Sequence, residues 1–91
     1  MKLNLDKNIV NLKGEPIPEK LSDVLANTLA LSTSGKPAKM IAWAVGLVNN
    51  GEIDVDKTDL QFIAEIVERS QNIVNLAKAQ ILEEIERIMK G

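Results

Sequence analysis

The sequence predicts a mainly α (α+β) protein: a compact four-helix bundle around a central apolar helix, opened by a short N-terminal β-hairpin over residues 2–18. Three observations carry that prediction. Residues 40–48, Met-Ile-Ala-Trp-Ala-Val-Gly-Leu-Val, form the longest apolar run and hold the only tryptophan. Segments before and after it repeat apolar residues at i, i+3 and i+4, the spacing of one helix face. Near the N-terminus the pattern changes to alternation, as in a strand with one buried side. Ninety-one residues form a single domain, 1–91, with a modest core that needs no cross-links.

The alternating stretches are residues 2–5, Lys-Leu-Asn-Leu, and 9–12, Ile-Val-Asn-Leu. Asp6-Lys7-Asn8 between them is turn-like, and Lys13-Gly14-Glu15-Pro16 is a second turn-like cluster. These predict a hairpin, with a third extended piece at Pro16–Pro18 that its prolines confine to an edge or a linker. An isolated hairpin is marginal in water. Leu3, Leu5, Ile9 and Leu12 are therefore expected to lean on the helices.

A first helix is expected over 19–31, where Leu21, Val24, Leu25, Thr28 and Leu29 share a face. Ser32-Thr33-Ser34-Gly35-Lys36 reads as a flexible connection. It resembles an anion-binding loop only in composition, since no partner glycine lies upstream and Pro37 removes an N–H.

The second helix, 37–49, is the central run. Pro37 suits a first helical turn, which needs no N–H donor there, and Asn49-Asn50-Gly51 supplies a left-handed stop. Apolar residues on nearly every side predict burial all round. Ile41, Ala44, Val45 and Val48 form one expected core face and Met40, Trp43 and Leu47 its neighbour. Gly46 costs about 1 kcal/mol of helix propensity relative to alanine and is expected to admit a neighbouring helix. Trp43 has two readings, a core residue or an interface anchor, and the core reading is favoured. A helix of about 14 residues cannot span a bilayer, which needs roughly 20.

Residues 51–59 place Ile53 and Val55 between acids, which predicts a short extended piece near 52–55 able to pair with the N-terminal hairpin. Asp54, Asp56, Thr58 and Glu65 match positions 1, 3, 5 and 12 of a calcium loop, but Asp59 stands where the loop requires glycine. Helix capping explains the acids more simply, with Asp56 as N-cap and Asp59 three residues on. The third helix follows over 57–70 with Leu60, Ile63, Ala64 and Val67 inward. A short break at Ser70-Gln71-Asn72 predicts an antiparallel partner, the fourth helix over 73–89, with the stripe Val74, Ala77, Ile81, Ile85 and Ile88. Glu83 and Glu84 are neighbours and do not face each other on a helix, so they read as a solvated surface rather than an acid–base pair. The expected core comprises Leu25, Ile41, Val45, Val48, Leu60, Ile63, Val67, Ile81 and Ile85.

Composition narrows the function. The chain has no cysteine and no histidine, which excludes thiol chemistry and removes the commonest general base and transition-metal ligand. No cofactor and no metal are expected, and no catalytic residue. Eleven basic against thirteen acidic residues leave a net charge of −2, without the basic excess typical of a nucleic-acid surface. Residues 1–12 hold no apolar signal-peptide core, so a cytoplasmic location is expected.

The segments Leu3-Asn4-Leu5-Asp6, Asn11-Leu12-Lys13-Gly14-Glu15-Pro16-Ile17, Leu21-Ser22-Asp23-Val24-Leu25-Ala26-Asn27 and Asp54-Val55-Asp56 resemble small proteins encoded in phage and prophage genomes. The resemblance implies a bacterial host and a part in virion assembly or in modulating a host protein. It transfers no site residue.

The expected function is a small non-enzymatic protein-interaction module that binds another protein or itself as a homodimer. The alternative is a nucleic-acid-associated regulator, which would gather Lys7, Lys13, Lys36 and Lys39 on one face. A carboxylate-only enzyme would instead need Asp54, Asp56, Asp59 and Glu65 to converge. The interface candidates are Trp43 and the end of the fourth helix, Ile85, Ile88 and Met89, expected to project beyond its shorter neighbours as a dimer seam unless the hairpin folds back over them.

Overall fold

In the computed structural model, which describes all residues Met1–Gly91, eight elements follow one another. They are β1 (Lys2–Asn4), β2 (Asn8–Val10), β3 (Pro16–Lys20), α1 (Leu21–Leu31), α2 (Pro37–Asn50), β4 (Glu52–Asp54), α3 (Lys57–Arg69) and α4 (Asn75–Lys90). The protein is thus four helices with a small antiparallel β component in two two-stranded sheets.

Strand pairing differs from the expected hairpin. β2 pairs with β3, and β1 pairs with β4 through Lys2↔Asp54, Leu3↔Ile53 and Asn4↔Glu52. The chain reverses at residues 11–15 because Asn11 organises that turn. Its side-chain oxygen accepts from the N–H of Lys13 (2.9 Å) and of Glu15 (3.0 Å), and Gly14 takes a positive φ of 85°. Asp6-Lys7-Asn8 only bends the chain between β1 and β2. Leu12, expected against the helices, lies in the Asn11–Glu15 turn and is 95% exposed. The extended piece near 52–55 does pair with the N-terminal segment, as β4 on β1.

α1 begins two residues later than expected because β3 continues to Lys20. No side chain caps it. The N–H groups of Leu21 and Ser22 instead donate to the carbonyls of Lys7 and Leu5, both at 3.0 Å. The N-terminal segment thus serves as the cap, satisfying donors that a helix start otherwise leaves open.

α2 starts with Pro37 in its first turn and ends at Gly51, which has φ 74° and donates its N–H to Leu47. A β-carbon at Gly51 would overlap Asp6. Gly46 admits a strand rather than a helix: a β-carbon there would meet Ile53 Cγ2 of β4 at 3.0 Å. α3 opens with Asp56 as the expected N-cap, its Oδ1 accepting from Asp59 N at 2.7 Å, and the structure adds the reciprocal bond, Asp59 Oδ2 accepting from Asp56 N at 3.1 Å. α4 starts after Val74, which is exposed, while Ile73 in the connection turns into the core. This exchanges the expected roles of the two. Lys78 of α4 then donates to the carbonyls of Glu68 (3.2 Å) and Ser70 (2.8 Å), satisfying acceptors at the end of α3.

The core draws on every layer: Leu3 and Leu5 from the N-terminus, Leu25 and Leu29 of α1, Leu47 of α2, Leu60, Ile63 and Val67 of α3, and Ile81 and Ile85 of α4. Each such side chain contributes about 1.5–3 kcal/mol through burial. Three expected members are absent. Ile41, Val45 and Val48 are 48%, 51% and 61% exposed. α2 packs inward through Met40, Trp43, Ala44 and Leu47 and lies mainly against α1 and β4, with no element over its other side. Burial all round is therefore corrected to burial on one face.

Candidate functional site

The outer face of α2 is the feature that the fold leaves over. Ala38, Ile41, Ala42, Val45 and Val48 are all exposed, and their 3-4 spacing places them along one side of the helix. It is the side opposite Met40, Trp43, Ala44 and Leu47, which face the core. An apolar run with no polar face thus becomes a helix with two apolar faces, only one of them covered. The stripe contains no charged residue. Large apolar side chains gathered in one stripe mark an interaction surface more often than scattered ones do.

Lys39 is the only charged residue within α2. Its ammonium lies 2.9 Å from Asp59 Oδ1 and 5.0 Å from the centroid of the Trp43 ring. The hydrogen bond with Asp59 holds the ammonium above the usual lysine range against partial desolvation. The same bond, with the Asp56 N–H, holds the Asp59 carboxyl below the usual aspartate range. Trp43 is buried beneath this pair, as the core reading expected.

The end of α4 does not project as expected. Ile85 is 2% exposed, and Ile88 and Met89 are half-buried against the core. β1 and β2 lie against α4, where Gln80 exchanges hydrogen bonds with the Val10 backbone and Glu84 takes Lys7 at 2.8 Å. Glu84 also pairs with Arg87 at 3.0 Å. It is therefore a half-buried junction rather than the solvated acid expected, whereas Glu83 forms the expected exposed pair with Arg87 at 3.6 Å.

The other candidates are distributed as follows. Lys7 and Lys39 are each tied to a carboxylate, Lys13 sits in the 11–15 turn and Lys36 precedes α2. The acids Asp54, Asp56, Asp59 and Glu65 form no group of three able to hold a metal ion. A cleft of about 250 Å³ lies between the α1–α2 and α3–α4 connections, walled by Ser32, Thr33, Ser34, Ser70, Gln71 and Asn72. Phe62 and Ile66 also line it, with Glu65 and Arg69 as its charged groups. The hydroxyls of Thr28, Ser32 and Ser70 in its wall bond to nearby backbone groups. No helix is long and apolar enough to cross a membrane. Comparison with protein-family models, curated proteins and solved structures found no match.

Sequence reasoning located the α2 run but assigned its outer face to the core. One signal available in the sequence was chain length. A small domain buries a limited fraction of its surface, and a helix that is apolar on nearly every side needs neighbours all round, whereas α2 lies mainly against α1 and β4.

Proposed function

We propose that this protein is a non-enzymatic protein-interaction module whose contact face is the outer side of α2. The single observation that carries the reading is the exposure of Ile41, Val45 and Val48 in one uncharged stripe. Leaving such side chains in water forgoes about 25 cal/mol for each Å² of apolar surface that a partner would cover. A helix face with anchors at i, i+4 and i+7 suits helix-on-helix recognition. The four-helix scaffold is the platform: α2 is fixed on its inner side by Leu47 and Met40 and tied to α3 by Lys39. The interface candidates Trp43 and Ile85 support the scaffold in this reading rather than touch the partner. The resemblance to small phage and prophage proteins supports a setting in virion assembly or in modulation of a host protein in bacterial cytoplasm.

The test is site-specific photo-crosslinking in source cells, with a benzophenone-bearing residue in place of Val45 and, as an exposed control, in place of Leu12. A discrete adduct at Val45 that Ile41→Glu abolishes is the expected result. Equal labelling at both positions refutes the reading.

A further inference from the structure

We infer that the occupant of the α2 face is a second copy of this chain, paired α2 to α2 in antiparallel orientation about a two-fold axis near Ala42; the inference rests on the interaction reading above. The stripe is self-complementary in that orientation. Ile41 of one copy lies beside Val45 of the other, and Ala38 beside Val48, so each larger side chain meets an apolar neighbour. Ala42, the small residue midway between Ala38 and Gly46, falls at the crossing, where two helix backbones need to approach closely.

Charge favours the same orientation. Lys36 caps the start of α2, lies at the positive end of its own helix dipole and has no ion-pair partner in its chain. Just past the other end of α2, on β4, Glu52 is held by Lys2 at 3.5 Å, whereas Asp54 is exposed and has no ion-pair partner. Antiparallel pairing brings Lys36 of each copy toward the carbonyl end of the other's α2 and toward Asp54. Parallel pairing sets Lys36 against Lys36. The contact is small. A helix of 14 residues is about 21 Å long and about 10–12 Å across, giving about 250 Å² a copy against the roughly 800 Å² of a standard interface. The dimer is accordingly weak and reversible, and it is sought at high protein concentration.

The chain contains no cysteine, so single cysteines report the geometry cleanly. Sedimentation equilibrium of the full chain up to millimolar concentration is expected to show a reversible monomer–dimer equilibrium. Val45→Glu weakens it at least about tenfold by placing an unpaired charge in the contact. Under mild oxidation Ala42→Cys forms disulfide-linked dimers faster than Leu12→Cys. Ala38→Cys does so only when mixed with Val48→Cys. A wild type that stays monomeric at millimolar concentration overturns the inference, as does linkage of Ala38→Cys to itself, the parallel result. Linkage at Ala42→Cys no faster than at Leu12→Cys overturns it too. If Val45 nevertheless crosslinks to a different protein in cells, the interaction reading stands and only the second copy falls.

Discussion

Lys39 Nζ lies 2.9 Å from Asp59 Oδ1, so one ion pair joins the first turn of α2 to the capping box of α3. Asp59 accepts from Lys39 and from the Asp56 N–H, and both hold its pKa below the usual 3.8. A carboxyl depressed by folding adds stability that is complete above its unfolded pKa and lost as pH falls through its folded value. The melting temperature is expected to decline from about pH 4 downward, and Asp59→Asn to flatten that part of the profile. Lys39 is raised above 10.5 by the same bond. Its contribution is complete below that value and disappears as pH climbs through the raised one, so Lys39→Met flattens the alkaline limb. Unchanged slopes in both variants would show the pair to be without effect on folding.

The reciprocal cap should be measurable separately. Asp56→Ala removes the acceptor for the Asp59 N–H and is expected to cost about 1 kcal/mol, as capping residues do. The same loss is expected with added calcium and with chelator. A wild-type Tm that rises with calcium, in a way Asp56→Ala abolishes, would replace capping with a cation site.

α2 offers a comparison of its two faces. Leu47→Ala, on the buried side, is expected to cost about 2–5 kcal/mol in urea unfolding through a cavity. Val45→Ala, on the open side, is expected to stay within about 0.5 kcal/mol at low protein concentration. Comparable losses would mean that Val45 is covered within the monomer.

Gly51→Ala should destabilise by at least about 1–2 kcal/mol, since its left-handed backbone disfavours a side chain and the added carbon overlaps Asp6. Gly46→Ala should not give the roughly 1 kcal/mol gain of helix propensity, because Ile53 Cγ2 stands 3.0 Å from the new carbon. Equilibrium denaturation of both variants checks the pair. A stabilised Gly46→Ala would show that β4 yields easily.

Much of this architecture is legible in the chain because it is local. The capping box is written as Asp56 and Asp59, the start and stop of α2 as Pro37 and Gly51, and the inner faces of α3 and α4 as Leu60-Ile63-Val67 and Ala77-Ile81-Ile85. Strand pairing is only partly legible: residues 52–55 read as a partner for the N-terminal segment, as β4 is for β1, but the sequence does not say which of the N-terminal strands they join. Each paired run of β1 and β4 is three residues long, too short for a pattern, and its partner is remote. Turn chemistry at Asn11, whose side chain bonds two N–H groups ahead, outweighed the Asp6-Lys7-Asn8 cluster. The candidate face was the hardest part. When both sides of a helix are apolar, periodicity cannot say which one its neighbours reach, and only the packing of Trp43 and Leu47 against the fold decides it.

The pairing of Leu3 with Ile53 sets an order of events on the ribosome. β1 leaves the exit tunnel before its partner strand has been synthesised, and α1 and α2 must both emerge in between. The N-terminal segment can dock early on α1, through Leu5 and Lys7, but its sheet closes only after β4 arrives. A nascent chain arrested with α2 outside the tunnel and Glu52 still within it is therefore expected to hold the α1–α2 hairpin with β1 still unzipped, open to protease attack, and to become resistant once Asp54 has cleared the tunnel.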